Sequence, residues 1–239
     1  MVGLLTDIGN VRSLNEDYID YEINDKYKLF VIADGMGGHN AGEIASKMAV
    51  ETILKFIKDN IDKYNIEEIL VKSFKEANKE VHEYSCKIED CNGMGTTVTA
   101  CFISKDILHI ANVGDSGCYL VDSTGITKIT RDHSLVQELL DEGSITEEQA
   151  LHHPNKNYIT RSVGIYKELE VDLYDLSKRE YEYIILCTDG LSNEVDKEEI
   201  YHIVKSSSNV KESCEKLIDL AKQRGGRDNI SVVIVGGED

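Results

Sequence analysis

The order in which strand-like and helix-like segments follow one another most constrains the fold of this chain. Apolar runs between turn residues predict strands, and apolar residues at helical spacing predict helices. The predicted elements are strands at about 3–7, 18–23 and 29–33, helices at 42–60 and 66–86, strands at 96–103, 107–113, 118–121, 126–129, 169–176 and 181–188, helices at 197–205 and 210–223, and a strand at 231–235. Strands and helices do not alternate singly, which disfavours a doubly wound parallel sheet. The chain is therefore predicted to be an α+β protein with antiparallel sheets covered by helices.

The connections between these elements carry further predictions. Closely spaced turn residues at 104–106 and 123–125 indicate that the four strands from 96 to 129 form an antiparallel meander. The segment from about 134 to 160 is polar and partly helical, and it is predicted to form a flap on the surface. The chain has a single proline and no low-complexity stretch. We therefore expect one domain over residues 1–239.

Two segments of the chain share one design. An apolar run from 28 to 33 leads directly into Asp34 and Gly35, and a run from 183 to 188 leads directly into Asp189 and Gly190. A strand end is rigid enough to hold a carboxylate in the geometry that a metal ion requires. Glycine lets the backbone approach closely, so its own carbonyl is also available as a ligand. One Asp-Gly pair alone more often marks a turn, so it is the repetition that favours a metal site.

Further acidic residues lie at the edges of other predicted strands. Glu16 and Asp17 precede the second strand, Asp115 follows the strand that ends at 113, and Asp228 precedes the last strand. Clustered carboxylates at the end of a core are costly unless cations neutralise them. Oxygen ligands with few histidines suit Mg²⁺ or Mn²⁺ better than zinc. The pattern thus favours a magnesium or manganese site if the fold brings these edges together.

The composition restricts the partners and the compartment. With 44 acidic and 26 basic residues, the formal net charge is -18. Such a surface repels nucleic acid and anionic membranes, and no apolar stretch has the length of a membrane span or an export signal. The six cysteines show no Cys-X-X-Cys spacing, and several lie in apolar runs, as buried thiols in a reducing compartment do. We expect a cytoplasmic protein that binds no nucleic acid and inserts into no membrane.

Eight short motifs occur in order from about residue 6 to 235. They are Arg12-Ser-Leu-Asn-Glu-Asp17, Asp34-Gly-Met-Gly-Gly-His39, Gly95-Thr-Thr97, Asn112-Val-Gly-Asp-Ser116, Thr130-Arg-Asp-His-Ser134, Asn157-Tyr-Ile-Thr-Arg-Ser-Val-Gly164, Cys187-Thr-Asp-Gly-Leu-Ser192 and Gly226-Arg-Asp-Asn-Ile-Ser231. Each motif alone is weak, but eight in register are specific. The sequence resembles the bacterial branch of the metal-dependent protein phosphatases, the type 2C serine/threonine phosphatases. The resemblance implies an αββα sandwich of two stacked antiparallel sheets flanked by helices, with metal ions at one end.

The resemblance also implies a role for each acidic position of the two main metal sites. Asp34 would bridge two Mn²⁺ or Mg²⁺ ions. Asp189 and Asp228 would complete the first site, and the Gly35 carbonyl would join the second. The implied reaction is the hydrolysis of phosphoserine and phosphothreonine on proteins. A hydroxide held between the two ions would attack phosphorus in line, so that no phosphoenzyme forms.

Further residues receive roles from the same resemblance. Glu16 and Asp17 would hold the second ion directly or through its waters, and Asp115 would contribute to a third, weaker metal site. Arg12 would clamp the substrate phosphate, because its planar guanidinium binds two oxygens at once. His39 is one candidate donor of the proton to the leaving oxygen, and a metal-bound water is the other.

Two alternatives stay open beside this interpretation. The first is a catalytically inactive relative of the same fold that binds phosphoproteins; it would normally lack a metal aspartate or Arg12, and all are present. The second is a two-metal phosphohydrolase of small molecules or nucleic acid, and the acidic surface disfavours nucleic acid. The clearest departure from the family is Gly117, where arginine is usual. We expect lost hydrogen bonding there without lost metal binding.

The remaining polar candidates receive plainer interpretations. His152 and His153 are not expected to bind metal, because adjacent residues seldom bind the same ion. Arg161 belongs either to a structural ion pair or to the substrate side of the flap, and the ion pair is favoured. The resemblance implies phosphorylated protein substrates and a serine/threonine protein kinase as the partner whose action is opposed. We expect the protein to be a monomer.

Overall fold

A computed structural model describes residues 1–37, 41–105, 107–177 and 180–237. Two antiparallel sheets are stacked, and helices cover both outer faces, so the predicted αββα sandwich is confirmed. The strands are β1 Val2–Asp7, β2 Asp17–Ile23, β3 Lys28–Met36, β4 Gly95–Thr96, β5 Val98–Ser104, β6 Ile107–Val113, β7 Gly117–Asp122, β8 Gly125–Lys128, β9 Asp172–Asp175, β10 Tyr183–Cys187 and β11 Ile230–Gly236. The α-helices are α1 Gly42–Asn60, α2 Ile66–Lys87, α3 Leu135–Asp141, α4 Glu147–Leu151, α5 Asp189–Ser192, α6 Lys197–Ser206 and α7 Val210–Gln223.

The two sheets draw their strands from different parts of the chain. Sheet A has the strand order β1-β11-β10-β7-β8. Sheet B has the order β2-β3-β5-β6-β9, and the short β4 pairs with the end of β3. All the pairs are antiparallel, and the register of β2 and β3 places Asp17 opposite Asp34. Two acidic residues that are distant from each other in sequence are therefore neighbours at one edge of sheet B.

Apolar side chains fill three layers between and outside the sheets. Neighbouring residues of a strand point to opposite faces. In β3, Leu29 and Val31 therefore pack under α1 and α2, whereas Phe30 and Ile32 pack between the two sheets. A third layer lies between sheet A and the helices α6 and α7. Because both faces of β3 are covered, its sequence is a continuous apolar run rather than an alternating one.

Helix boundaries follow the local signals of the sequence. Helix α1 has the bounds predicted from its apolar spacing, and Ile53 and Ile57 are fully buried on its inner face. Helix α2 begins after Asn65, whose side-chain oxygen accepts a hydrogen bond from the Glu68 backbone N–H at 2.8 Å. This bond satisfies a backbone donor that the first turn of a helix leaves without an intrahelical partner. The predicted N-cap at Asn65 is confirmed.

The predicted meander from 96 to 129 is wrong. Strands β5 and β6 pair in sheet B, but β7 and β8 pair in sheet A, so the chain crosses between the sheets after Val113. Gly114 makes this crossing with φ +109, a conformation that favours glycine. Turn spacing shows where strands end but not which sheet they join. The crossing leaves Asp115 at the end of the sandwich, between the two sheets.

The segment predicted as a flap contains the two short helices α3 and α4. Ser134 caps α3, and Thr146 and Gln149 form a reciprocal capping box at the start of α4. The segment returns to its origin through an antiparallel bridge between Ser134 and Ile159. Within the described ranges, no helix is both long and apolar enough to cross a lipid bilayer.

Candidate metal centre

Asp34 is held on both sides by backbone pairing. It was predicted to follow a strand, but β3 continues to Met36, because Gly35 and Met36 pair with β4. The Asp34 backbone N–H donates to Thr97 Oγ1 at 3.0 Å, and its carbonyl accepts from the Thr97 N–H at 2.9 Å. Asp17 lies opposite Asp34 on the neighbouring strand β2. The position of Asp34 is therefore fixed by two neighbouring strands.

Gly35 lies where three backbone segments approach one another closely. A Cβ atom on Gly35 would lie 2.1 Å from the Gly42 carbonyl oxygen and 2.6 Å from the Glu16 carbonyl oxygen. The Gly35 N–H also donates to the Glu16 carbonyl at 3.1 Å. A side chain does not fit here, so the residue after Asp34 has to be glycine.

We expect Gly35→Ala to lower the free energy of unfolding by about 3 kcal/mol, because the new methyl group overlaps backbone atoms that cannot move independently. Thermal denaturation in excess Mn²⁺ measures the effect. Gly236→Ala is the matched control, since its Cβ would have only ordinary contacts from 3.5 Å. A Gly35→Ala protein as stable as this control would contradict the prediction.

Sheet A contributes Asp189 and Asp228. Strand β10 ends at Cys187, and Asp189 opens the short helix α5. Asn193 Nδ2 donates to Asp189 Oδ2 at 3.0 Å, which orients that carboxylate. Asp228 lies just before β11, and its Oδ2 is 2.8 Å from Arg12 Nη2. The two carboxylates therefore reach the end of the sandwich from neighbouring strands of sheet A.

These groups line one cavity of about 220 Å³ at the end of the sandwich. Its lining residues are Arg12, Glu16, Asp34, Gly35, Met36, Gly37, Asp115, Asn157, Ile159, Asp189 and Asp228. The fold thus brings together seven of the residues predicted for the site, from both sheets. Asn157 and Ile159 come from the flap-like segment, and nothing in their chemistry singled them out in the sequence.

Of the predicted site residues that the structure describes, Asp17 does not line this cavity. Asp17 is buried, and its Oδ2 accepts a hydrogen bond from Thr188 Oγ1 at 2.9 Å. Thr188 Oγ1 in turn accepts from the Ser231 N–H at 3.0 Å, so Asp17 is connected to sheet A. His39, the predicted proton donor, lies outside the described residues.

Burial and mutual repulsion raise the pKa values of the clustered carboxyls. Burial, with Asp189 and Asp228 nearby, raises the pKa of Asp17 to about 7. Burial and the Asp189 charge raise the pKa of Asp115 to about 8, and burial with Asp228 raises that of Asp189 to about 6. Asp34 is partly open to the cavity, but protein surrounds it elsewhere, and burial next to Asp17 raises its pKa well above the usual range. Without cations, the cluster would hold protons at neutral pH.

Several carboxylate oxygens of this cluster have no hydrogen-bond partner. Buried and unpaired are Asp17 Oδ1, Asp115 Oδ1 and Asp189 Oδ1. Buried anionic oxygens without donors are what hard divalent ions coordinate, so the residues fit such ions. In the described parts of the chain, no three acidic, histidine or cysteine side chains are close enough to enclose an ion by themselves. An ion here would also take backbone carbonyls and water, as Mg²⁺ usually does.

Asn229 supports the site, although no role was predicted for it. Its Oδ1 accepts from the Glu16 N–H at 2.8 Å, and its Nδ2 donates to the carbonyls of Ile8 and Leu14 at 3.0 Å each. Asn229 thereby fixes the loop that carries Glu16 against the start of β11. Its place beside Asp228 in one of the eight motifs was the available signal, and an amide next to a carboxylate is common in turns.

The ion pair predicted for Arg161 is confirmed. Arg161 Nη1 lies 2.6 Å from Asp172 Oδ1, and Asp172 Oδ2 lies 3.1 Å from Nε2 of the buried His133. His133 Nδ1 accepts from the Gly114 N–H at 3.0 Å, which assigns the remaining ring proton to Nε2. This chain of contacts fixes the crossing segment that carries Asp115.

Gly117, where the resemblance leads one to expect arginine, lies beside Lys128. A Cβ on Gly117 would be 3.1 Å from Tyr119 Cε2 and 3.5 Å from Lys128 Cε. Lys128 Nζ lies 2.7 Å from Asp132. A cation from the neighbouring strand therefore lies close to the position that lacks a side chain.

Comparison with known proteins places this geometry in a family. The model of the family described as protein phosphatase 2C matches residues 10–229. A serine/threonine phosphatase of Listeria innocua, stp, is 41% identical over 96% of this chain and 93% of its own length. The protein phosphatase PhpP of Streptococcus pneumoniae is 37% identical over 98% of this chain and 96% of its own length.

Solved structures agree with these sequence matches. The serine/threonine phosphatase of S. agalactiae has a TM-score of 0.92 and 37% identity, and the match covers 100% of this chain and 99% of the other. At 37% identity, the two proteins are similar in sequence as well as in fold. Because the family model spans most of its length, the chain belongs to the protein phosphatase 2C family.

Proposed function

We propose that this serine/threonine protein phosphatase of the 2C type hydrolyses phosphoserine and phosphothreonine in proteins with two Mn²⁺ or Mg²⁺ ions and a third, more weakly held ion. The observation that supports metal dependence most strongly is the set of unpaired buried oxygens on Asp17, Asp115 and Asp189. Such oxygens need cations or protons to be stable away from water. Divalent ions provide that charge at neutral pH.

In this proposal both sheets contribute ligands for the two main ions. The ligands are Asp34, the Gly35 carbonyl, Asp189 and Asp228, with Glu16 and Asp17 bound directly or through water. Asp115 contributes to the third site. When bound, the ions supply an activated water and neutralise the charge of the phosphate.

Arg12 would bind the phosphate of the substrate. One arm of its guanidinium contacts Asp228, and the side chain is about half exposed (47%) at the cavity. The guanidinium has further N–H donors that can bind phosphate oxygens and orient phosphorus for in-line attack. The leaving oxygen takes its proton from His39 or from water. A His39→Ala enzyme with an unchanged pH–rate profile would exclude His39.

Titration of phosphothreonine-peptide hydrolysis with Mn²⁺ tests the proposed function. We expect saturable activation, loss of activity with a chelator, and no phosphoenzyme after acid quench. A protein that is inert in excess Mn²⁺ would instead support the phosphoprotein-binding alternative. Faster turnover of nucleotides or sugar phosphates than of phosphopeptides would support a small-molecule phosphohydrolase.

In the cell, we propose that the protein acts as a cytoplasmic monomer of one domain and opposes a serine/threonine protein kinase. The resemblance and the net charge of -18 support this setting. That charge also disfavours nucleic acid as a substrate. Light scattering at micromolar concentration tests the monomer, since a dimer would double the measured mass.

A further inference from the structure

The cavity has many acceptors and few side-chain donors. Five of its lining residues carry carboxyl groups: Glu16, Asp34, Asp115, Asp189 and Asp228. Met36 and Ile159 are apolar, and Gly35 and Gly37 have no side chain. Among the lining residues that the structure describes, Arg12 and Asn157 are the two whose side chains can donate hydrogen bonds. A phosphate group that enters this cavity therefore has few donors other than bound cations.

Of these two donors, Arg12 is already engaged and Asn157 is free. Arg12 Nη2 donates to Asp228 Oδ2 at 2.8 Å. The Asn157 side chain makes no hydrogen bond to any residue of the described ranges, and it is exposed at the wall of the cavity. Both of its amide protons are therefore available to a ligand.

The backbone around Asn157 is held by a turn and by the pairing that follows it. The Tyr158 N–H donates to the Asn155 carbonyl at 3.1 Å, which closes a turn that contains Asn157. The Leu135 N–H donates to the Tyr158 carbonyl at 2.9 Å, and the Thr160 N–H donates to the His133 carbonyl at 2.8 Å. Asn157 and Ile159 both line the cavity, whereas the Tyr158 side chain is 62% exposed. Asn157 is thus held at the wall of the cavity by backbone hydrogen bonds.

We propose that Asn157 is a substrate-binding residue that donates a hydrogen bond from its carboxamide to a phosphoryl oxygen of the phosphorylated side chain. This inference rests on the proposed function, since it takes a phosphate group as the occupant of the cavity. A neutral donor suits this position, because it binds the anionic phosphate without repelling nearby cations. The flap-like segment then contributes directly to the substrate site and not only to its surroundings.

The effect of losing this donor is measurable. A hydrogen bond to a charged group corresponds to about a tenfold change in binding or more. Asn157→Ala removes the donor. Asn157→Asp keeps the shape but replaces the donor with an anion, which repels phosphate. We expect the loss in kcat/KM for a phosphothreonine peptide to be about tenfold for the first variant and larger for the second.

The matched control is Asn155→Ala, because Asn155 belongs to the same segment but does not line the cavity. Its hydrogen bonds are made by its backbone: the carbonyl accepts from the Tyr158 N–H, and the N–H donates to His153 Nδ1 at 3.2 Å. Both bonds survive the substitution. Each variant is assayed for peptide hydrolysis, inhibition by inorganic phosphate, Mn²⁺ affinity and melting temperature. We expect weaker phosphate inhibition in both Asn157 variants, with Mn²⁺ affinity and melting temperature unchanged in Asn157→Ala.

Three outcomes would overturn the inference while leaving the proposed function standing. One is an Asn157→Ala enzyme with the phosphate inhibition and kcat/KM of the wild type. Another is an equal loss in Asn155→Ala, which would indicate a general effect on the segment. The third is a loss of Mn²⁺ affinity that accounts for the lost activity, which would make Asn157 a support of the metals. A wild-type protein inert towards the peptide would contradict the proposed function itself.

Discussion

Asp34→Asn should lower kcat for phosphopeptide hydrolysis by at least about 1,000-fold in saturating Mn²⁺. Asp34 lies at the centre of the cluster, where its pKa is raised by burial and by four neighbouring aspartates. Asparagine has nearly the same shape but no charge, so it would bind divalent cations more weakly. Steady-state kinetics over a wide Mn²⁺ range measures the loss, and binding of Mn²⁺ to the variant should weaken in parallel.

The control for this variant is Asp62→Asn, which removes the same charge from the surface. Asp62 is 76% exposed and pairs with Lys26, away from the cavity. We expect this control to keep full activity, because an exposed ion pair contributes little. An Asp34→Asn enzyme that keeps more than about a tenth of the wild-type kcat would show that no essential charge resides there.

The metal-free protein should become less stable as the pH rises from about 5 to 8. Asp17 has a pKa of about 7 in the folded chain, against about 4 when unfolded. Between these values the folded state binds more protons than the unfolded state, so the free energy of unfolding falls with rising pH. For Asp17 alone the loss is on the order of 4 kcal/mol once the pH exceeds 7. Bound divalent ions should reverse the trend, because they bind the ionised form.

Thermal denaturation with a chelator and with excess Mn²⁺, at several pH values, measures this effect. The difference in melting temperature between the two conditions should grow from pH 5 to pH 8. Surface carboxyls with lowered pKa, such as Glu199 at about 2 beside Arg224, act in the opposite sense but at lower pH. Asp17→Asn should be more stable than the wild type at pH 8 in chelator. A metal-free wild type that gains stability towards pH 8 would contradict the assignment.

The fold was largely predictable because its signals are local. Helix α1 has the predicted bounds, and Asn65 caps α2 as its sequence context indicates. The predicted meander was wrong, because turn residues show where strands end but not which sheet each strand joins. Strand β9 is also shorter than predicted, since Leu169 packs into the core before the strand begins. A residue can be buried without pairing with another strand, and an apolar pattern in the sequence indicates only burial.

The candidate site was predictable to the extent that its chemistry is unusual. Asp34 and Asp189 stood out because each follows an apolar run and precedes a glycine, and this pattern occurs twice. Asn157 and Asn229 occur in the family motifs, but no role was predicted for them, because amides are frequent in loops for other reasons. Their importance comes from where the flap-like segment and β11 place them. The roles of such residues can be inferred only from the tertiary structure, which places them beside the acids.

The acids that converge at one end of the sandwich come from both sheets. Asp34 belongs to sheet B, whereas Asp189 and Asp228 are attached to sheet A. An ion bound by these groups would link the two sheets, which otherwise contact each other mainly through apolar side chains such as Phe30 and Leu120. A shift of one sheet relative to the other would then separate these carboxylates and weaken the binding of the ion. Substitutions in the apolar layer between the sheets, far from any acid, should therefore change the affinity for metal. Because such coupling is reciprocal, bound metal should also reduce the motion of that layer.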